Sequence, residues 1–440
     1  MNTLLLQPTD ILFFKDGRPM SGSLSGHGAA WPLPTVTNAA LHAALHRAKI
    51  ENVHGHDQIR LKSGTRETVR KDDRKFGSLT TAGPFPVSPS GNWFSPRPLD
   101  AGNPDSTAST FLPIAKDFDR NLSSLPEPLK YPVANTEAPS KVPTKPWWSA
   151  AAWNAYLSND SSTLSEFISD SDFSDTEHSI GIGLDPATGT QNGESFYSAH
   201  YLRLREDWKI GLLAEAQDKI DAQPGEKRDL LQQLFPENGG DPHVIIGGQQ
   251  RICTVLRKCP IDLPLPIGKS DGFHQSPDRK FLVKWILLTP AIFPKIGEHT
   301  GGWLPSWIDT NGKVQLLDGP GKNYAKRHKV TAGNPIPATL VAAMTGKPIP
   351  VTGYALDNGL EDRKPGPKPT HLAVPAGSVY YFECADEAAA TALAAALNWH
   401  GVQSPIGNHQ SPIQNRRSTL MGEKGFGLGV CGTWQFDPCS

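Results

Sequence analysis

A pair of cations at the end of an N-terminal strand has the clearest binding chemistry in this chain. Lys15 and Arg18 flank the dipeptide Asp16-Gly17, which has the composition of a tight turn. Such a turn directs two cations toward a common ligand, and a phosphate accepts hydrogen bonds from both. The alternative is an ion pair between Asp16 and Arg18 that stabilises the turn. The spacing predicts an anion-binding loop and leaves that structural role open.

Two further segments concentrate positive charge. Residues 60–75, RLKSGTRETVRKDDRK, hold seven cations against three carboxylates, and residues 322–329, KNYAKRHK, place Tyr324 among four cations. Cations beside an aromatic ring bind single-stranded RNA through phosphate contact and base stacking. Solvated surface loops have the same composition. The RNA-binding candidates in these segments are Arg70, Lys71, Arg74, Lys75, Lys326 and Arg327.

Histidines supply the catalytic alternative. His42 and His46 are four residues apart on a predicted helix and share one face, but without an HExxH pattern a metal site is not expected. His27 has the chemistry of a general base for metal-independent RNA cleavage. No serine-histidine-aspartate order, P-loop or paired-carboxylate motif stands out in the sequence. We therefore expect no metal, no cofactor and no enzymatic activity.

A glycine-rich loop lies near the C-terminus. Gly425, Phe426 and Gly427 belong to GEKGFGLGVCGTW, residues 422–434, which continues as β-type sequence. Nucleotide-binding glycine motifs need a helix after the loop, because the helix N-terminus holds the phosphate. Bare glycine backbone permits close approach of RNA or another chain, whereas tight turns and bulges are the more frequent use of such a cluster. We expect Gly425 and Gly427 to lie beside RNA or a neighbouring subunit.

The aromatic segment KPWWSAAAWNAYL has two interpretations. Its residues Trp147, Trp148, Trp153 and Tyr156 have the chemistry to stack on bases or to anchor a partner. Tryptophans more often cover a hydrophobic core, and the sequence favours that role in the first domain.

Composition limits the class of protein. The 440 residues are long enough for two or three domains. The 43 Lys and Arg residues nearly balance the 44 Asp and Glu residues, so nucleic-acid binding requires local patches. Five cysteines without a CxxC pair argue against a disulfide framework or a zinc ribbon. The sequence shows neither a signal-peptide pattern nor an apolar run long enough for a membrane span. A cytoplasmic protein with no membrane segment is expected.

The predicted elements repeat in two halves. The first half reads as a strand over LLLQPTDILFF, a helix over 35–49, strands over 179–184 and 195–204, a helix over 226–235 and a strand over 243–256. The second half has strands over 281–288, 351–356 and 378–383, a helix over 386–398 and a strand over 425–436, with a long irregular segment after its first strand. This order is that of the ferredoxin-like motif.

The sequence thus predicts an α+β fold of tandem ferredoxin-like (RRM-like, βαββαβ) domains with long insertions. Residues 1–265 are assigned to an N-terminal domain, residues 266–280 to a linker and residues 281–440 to a C-terminal domain that includes the glycine loop.

Several motifs in a fixed order resemble one known family. They are FFKDGRPMSG, WPLPTVTNAALHAAL, AGPFPV, VIIGGQQR, LLTPAIF, KPTHLAVPAGSVYYF and the terminal glycine loop. Together they resemble the RAMP superfamily of CRISPR proteins, specifically RAMP-module protein three of type III-B effector complexes. Lys15, Met20 and the segment 38–42 depart from the family pattern, and the last departure places His42 where the family has a permanent cation.

This resemblance implies a non-catalytic subunit that holds the repeat-derived 5′ handle of a CRISPR RNA. It also implies contact with the large polymerase-like subunit and with the backbone RAMP subunits of the complex. Beyond the segments above, the RNA-binding candidates are Lys15, Arg18, His27, His42, Arg47, Arg416, Arg417, Gly425, Phe426 and Gly427. Two alternatives remain: a metal-independent CRISPR RNA-processing endoribonuclease, and the equivalent subunit of another type III subtype.

Overall fold

A computed structural model describes the chain in ranges that are separated by gaps. The described residues are 1–15, 24–26, 29–50, 57–62, 65–70, 79–102, 112–113, 123–134, 144–158, 166–219, 227–237, 242–258, 262–295, 301–320, 325–326, 329–355, 366–400 and 419–436. The chain forms two compact units. Unit 1 comprises Met1–Gly91, Ser174–Asp262 and Glu423–Gly425, and unit 2 comprises Asn92–Phe173, Leu263–Gly422 and Phe426–Ser440. Residues 92–173, which the sequence assigned to an N-terminal domain, therefore belong to unit 2.

The described elements are mostly strands. In chain order these are β1 Asn2–Pro8, β2 Leu24–Gly26, β3 Asp57–Lys62, β4 Thr65–Arg70, β5 Leu79–Val87, β6 Phe94–Pro96, β7 Leu112–Pro113, β8 Val133–Ala134, β9 Trp147–Ser149, β10 Phe167–Ile168, β11 Ser174–Leu184, β12 Gln191–Leu204, β13 Lys209–Lys219, β14 Lys227–Asp229, β15 His243–Ile246, β16 Arg251–Lys258, β17 His274–Gln275, β18 Phe281–Leu287, β19 Ala338–Met344, β20 Ile349–Val351, β21 Tyr354–Ala355, β22 Gly366–Pro367, β23 His371–Ala373, β24 Val379–Cys384 and β25 Gly429–Thr433. The helices are α1 Pro34–Arg47, α2 Ala150–Leu157, α3 Asp170–Phe173, α4 Leu230–Leu234 and α5 Glu387–Leu397, and Gly422–Lys424 forms a 3₁₀ turn.

Unit 1 is built on an antiparallel sheet with β1 at its centre. The strand order is β14-β13-β1-β16-β15, and β5 pairs with β13. Leu4 and Leu6 of β1 alternate toward a core that also contains Leu212 of β13 and Val255 of β16. Helix α1 covers this face with residues such as Leu41. The helix begins at Pro34, whose fixed φ suits the first turn.

The structure corrects the strand assignment in unit 1. The segments predicted as the second and third strands of the motif belong to β11 and β12, which form a separate three-stranded sheet with β2. In the main sheet, β13 pairs with β1, and β5 pairs with the other edge of β13. The sequences of these strands, KIGLLAEAQDK and LTTAGPFPV, contain residues that disfavour strands in isolation, so pairing and burial override propensity there. The strand predicted over 243–256 is the hairpin β15–β16, and the helix predicted over 226–235 is limited to α4.

Unit 2 repeats the arrangement of the main sheet. Its order is β17-β18-β24-β19, with β25 on the other side of β18. Helix α5 packs on this sheet, and Asp386 caps it by accepting a hydrogen bond from Ala389 N at 2.8 Å. The predicted strand over 351–356 does not enter the sheet, because β19 pairs with β24 instead. Between β18 and β19, the only helical residues that the structure describes are Ala325 and Lys326.

The predicted linker is packed onto unit 2. Phe273 is part of the core, and Lys269 N donates to Cys431 O at 2.8 Å. Trp399 Nε1 donates to Pro266 O at 2.7 Å. His274 and Gln275 extend the sheet as β17 beside β18. Proline and glycine in this stretch therefore shape an ordered edge.

Candidate nucleic-acid interface

The glycine loop is buried. Gly425, Phe426 and Gly427 are all buried, and Phe426 has 0% exposure. Gly427 N donates to Pro290 O at 2.7 Å, and Leu428 N donates to Thr289 Oγ1 at 2.9 Å. The loop is therefore packed and its amides are hydrogen-bonded, and the expectation that Gly425 and Gly427 lie beside RNA or a neighbouring subunit stays a prediction.

Close packing explains the two glycines. Gly425 has φ +97°, and a Cβ there would lie 2.9 Å from Thr81 O. Gly427 has φ +69°, and its Cβ would collide with the Thr419 side chain. Both the positive φ and the lack of space favour glycine. The loop is built as a set of tight turns, the alternative that sequence reasoning weighed.

The other described candidates lie on separate elements. Lys15 is exposed beyond β1, Arg47 is exposed in the last turn of α1, and Lys326 is exposed in a short helical stretch. His42 is half-buried on α1, and its ring centroid lies 4.6 Å from that of His46. Arg70 ends strand β4. Outside the described residues lie Arg18, His27, Lys71, Arg74, Lys75, Arg327, Arg416 and Arg417.

The segment that follows β1 and includes Phe13 and Lys15 packs against the turn of the hairpin β15–β16. Gly248 N donates to Phe13 O at 2.9 Å. A Cβ on Gly248 would lie 2.6 Å from Cδ1 of Phe13, and one on Gly247 would collide with Phe13 O. The two glycines of VIIGGQQR thus permit a close approach that side chains would prevent. Lys15 follows Phe13 by two residues, so its backbone is anchored near this turn.

Aromatic and amide groups organise the side chains around the turn. Gln249 Nε2 donates to Tyr201 Oη at 2.9 Å, and Arg251 Nη2 donates to Gln249 Oε1 at 3.0 Å. The Arg251 guanidinium lies 5.4 Å from the centroid of the Tyr201 ring, within cation–π range. Phe13 packs on the same ring with centroids 5.5 Å apart. We call Phe13, Lys15, Tyr201, Gln249, Gln250 and Arg251 the turn cluster.

Exposed ion pairs surround the turn cluster. Asp10 lies 3.2 Å from Arg203 Nη2 and 3.7 Å from Arg251 Nη1. Arg203 also pairs with Glu177, and Arg205 pairs with Asp175 at 3.2 Å. Exposed pairs of this kind contribute little to stability, so these arginines can exchange a carboxylate for a phosphate at low cost.

Sequence reasoning missed most of this cluster. One signal was YLRLR, residues 201–205, where strand β12 places Tyr201 and Arg203 on one face at period two. A second signal was GGQQR, in which two glycines precede two amides and a cation. Sequence reasoning used VIIGGQQR only as a family motif and a strand.

A buried polar cluster lies in unit 2. Asp100, 1% exposed, accepts hydrogen bonds from Tyr156 Oη and, at 2.9 Å, from Tyr381 Oη. Lys284 Nζ lies 3.4 Å from Asp100 Oδ2 and 3.5 Å from the centroid of the Tyr156 ring. Burial lowers the pKa of Lys284 against the opposing effect of Asp100, and burial with Asp100 raises the pKa of both tyrosines well above the ordinary value.

The predicted tryptophan cluster belongs with these residues. Trp148, Trp153 and Tyr156 are buried, and α2 packs against β25 of unit 2. Their role in covering a core agrees with the favoured interpretation, but the core is that of unit 2 because residues 92–173 belong to it.

Neither a metal-binding cluster nor a membrane-spanning helix is found among the described residues. Within the described residues, no group of three or more His, Cys, Asp or Glu side chains is arranged to hold a metal ion. None of the helices in the described part of the chain is both long and apolar enough to cross a membrane.

One family model matches almost the entire chain. The family described as CRISPR-associated protein (Cas_Cmr3) matches residues 4–434. Comparison with curated proteins finds no match.

Two of the solved structures with some similarity are chains of type III complexes. A chain of the type III-B Cmr-beta complex bound to cognate target RNA is 13% identical, with 86% of each chain covered and a TM-score of 0.39. A chain of the Csm3–Csm4 subcomplex of the type III-A CRISPR-Cas interference complex is 11% identical, with 86% of this chain and 92% of that chain covered and a TM-score of 0.33.

Proposed function

Because the chain belongs to the CRISPR-associated protein (Cas_Cmr3) family, we propose that it is a non-catalytic subunit of a type III-B CRISPR effector complex. In this proposal it binds the repeat-derived 5′ handle of the CRISPR RNA and docks the large polymerase-like subunit in antiviral defence. The backbone RAMP subunits are its other neighbours. The observation that carries the proposal is the family match, which runs from residue 4 to residue 434.

We further infer that each unit is a ferredoxin-like domain. In a βαββαβ motif of this type, the first strand lies between the third and fourth, and the second pairs with the third. The order β5-β13-β1-β16 in unit 1 and the order β19-β24-β18-β25 in unit 2 support this assignment. The pairs in both sheets are antiparallel, as the motif requires.

The turn cluster supports RNA binding by unit 1. It combines an exposed lysine, an arginine over a tyrosine ring and two exposed glutamine residues. Arginine binds phosphate through paired hydrogen bonds, and amide side chains match the donor and acceptor pattern of base edges. This set of groups serves recognition, whereas acid–base cleavage needs a proton acceptor beside the scissile phosphate.

Copurification tests the proposed role most economically. The tagged chain, expressed in its native host, is expected to retain other type III-B subunits and RNAs whose 5′ ends derive from the repeat. Retention of subunits from a different type III subtype would reassign the complex. Loss of both RNA and subunits would contradict the proposal.

An incubation of the purified protein with repeat RNA separates binding from cleavage. The proposal predicts retention of intact RNA with and without a chelator. Discrete cleavage that persists in chelator and disappears in a His27→Ala variant would instead establish the endoribonuclease alternative.

A further inference from the structure

Two adjacent glutamines in the β15–β16 turn have an unusual backbone. Gln249 has φ +58° and Gln250 has φ +52°, so both occupy the left-handed region. Residues with a Cβ are disfavoured there, and hairpin turns with this backbone ordinarily use asparagine, aspartate or glycine. Both glutamines are exposed. The chain thus holds two long amide side chains at a position where glycine would fit with less strain.

The two amides have different surroundings. Gln249 connects Tyr201 and Arg251 through hydrogen bonds of 2.9 and 3.0 Å, so it positions the guanidinium over the ring. For Gln250, no side-chain hydrogen bond to another described residue is present, and the residue is exposed. Strain retained at an exposed site without a packing role is typical of recognition elements.

The charged and amide groups of the turn cluster define the ligand. Arg251 presents a planar guanidinium with 27% of its side chain exposed, and Lys15 presents an exposed ammonium. Both cations suit phosphate, whereas an amide that donates and accepts at once matches the edge of an unpaired base. An acidic peptide would satisfy the cations but would leave the amide pattern unused. Single-stranded RNA satisfies all three groups.

We propose that the turn cluster is a contact site for single-stranded RNA, in which Gln250 binds a base edge while Arg251 and Lys15 bind adjacent phosphates. The inference rests on the proposed function and deepens it, because it identifies the residues of unit 1 that hold the CRISPR RNA. Gln249 acts as a positioning residue for Arg251.

Because Gln250 has a strained backbone, one substitution at this position should affect protein stability and RNA affinity in different ways. In Gln250→Gly the backbone strain is relieved, so the melting temperature of the protein is expected to stay the same or rise by up to about 4 °C. The base contact is lost, so the affinity for a single-stranded RNA carrying the repeat-derived 5′ handle should fall by roughly 5- to 100-fold. Both quantities are measured on one preparation.

Arg279→Gly is the matched control. Arg279 is also exposed and left-handed, with φ +61°, but it lies in a turn of unit 2. Its replacement relieves the same kind of strain and additionally removes a cation. The melting temperature should respond as in Gln250→Gly, and the RNA affinity should remain that of the wild type.

Salt dependence separates the base contact from the phosphate contacts. Lys15→Ala should flatten the slope of log affinity against log salt concentration by about 0.7, the value for one phosphate on a single strand. Gln250→Gly should weaken binding at every salt concentration without changing the slope. Equal slopes for Lys15→Ala and the wild type would remove Lys15 from the site.

The outcomes distinguish the inference from the function on which it rests. Wild-type protein that does not bind the handle RNA contradicts the proposed function and with it the inference. Wild-type binding with undiminished affinity in Gln250→Gly overturns only the inference. A joint loss of melting temperature and affinity in Gln250→Gly also overturns it, because the glutamine would then act through folding.

Discussion

Gly427 lies in the buried C-terminal loop, at a position with a positive φ and no space for a side chain. Its amide donates to Pro290 O at 2.7 Å, and its missing Cβ faces Thr419. Thr419 is itself fixed, because its Oγ1 accepts from Ile292 N at 2.7 Å and donates to a main-chain carbonyl. The neighbouring side chain therefore cannot move away without losing hydrogen bonds.

Gly427→Ala is expected to lower the free energy of unfolding by about 2–4 kcal/mol, from the positive φ together with overpacking. Gly302→Ala is the control, since Gly302 has φ +84° in the same unit and a methyl group there would meet no neighbouring side chain or backbone within 4 Å. That variant should lose only about 1 kcal/mol, the conformational part. Chemical denaturation followed by tryptophan fluorescence measures both.

Thr419→Ser removes the methyl group that Gly427→Ala would meet and keeps the hydroxyl. The cost of Gly427→Ala should therefore be smaller in a Thr419→Ser background. Strictly additive costs in this double-mutant cycle would contradict the packing explanation.

The second prediction concerns the buried ion pair between Asp100 and Lys284. Asp100→Asn leaves Lys284 buried without its anion, so unfolding should become easier by about 3–5 kcal/mol. Asp175→Asn is the control, because its pair with Arg205 is exposed and contributes less than about 1 kcal/mol. Similar losses in both variants would show that the buried pair contributes no more than a surface pair.

The destabilisation in Asp100→Asn should depend on pH. Burial lowers the pKa of Lys284, and the variant loses the carboxylate that opposes this effect. Between the folded-state pKa and the ordinary value of 10.5, the unfolded state binds more protons, so the unfolding free energy rises with pH. The difference from wild type should thus narrow as the pH rises toward 10.5. A constant difference would contradict a charged buried lysine.

At the scale of elements, local signals predicted helices better than strands. The proline at the start of α1 and the Asp386 cap of α5 are local signals, and both helices lie where the sequence placed them within a few residues. Strands β13 and β19 were missed, because Ala- and Glu-containing segments become strands only through pairing with β1, β5 and β24. The turn cluster depends on the same long-range pairing, which no local pattern reports.

The hairpin formed by β3 and β4 is rich in cations, and we expect the cations that follow it to contact RNA phosphates. Its register places Arg60 opposite Glu67 and Asp57 opposite Arg70, and three further candidate cations follow in sequence. Replacing Lys71, Arg74 and Lys75 by alanine together should flatten the slope of log RNA affinity against log salt by roughly 2.

Its control replaces three exposed cations of unit 2, Arg279, Lys280 and Lys313, by alanine. That variant should retain the wild-type slope. If both variants behave like the wild type, the β3–β4 segment is not part of the RNA path.

At the scale of the whole molecule, the ordered motifs carried more information than any single site. The resemblance drawn from them is confirmed by the family match over residues 4–434. The glycine loop, which sequence reasoning treated as a contact surface, is a packed part of the fold, whereas the turn cluster was visible only as a family motif. Family membership could thus be inferred from short motifs that occur in a fixed order. Where each motif lies in the fold depends on long-range strand pairing, which the sequence does not show.

Site-specific crosslinking in the assembled complex tests the central claim, that this chain holds the 5′ handle of the CRISPR RNA. The complex is reconstituted with CRISPR RNAs that carry a photoreactive 4-thiouridine either in the handle or near the 3′ end. The account predicts that handle positions crosslink to this chain, with peptides around Lys15 and Arg251 among the products, and that 3′ positions do not. Handle crosslinks confined to other subunits, or crosslinks to this chain only from the 3′ end, would contradict it.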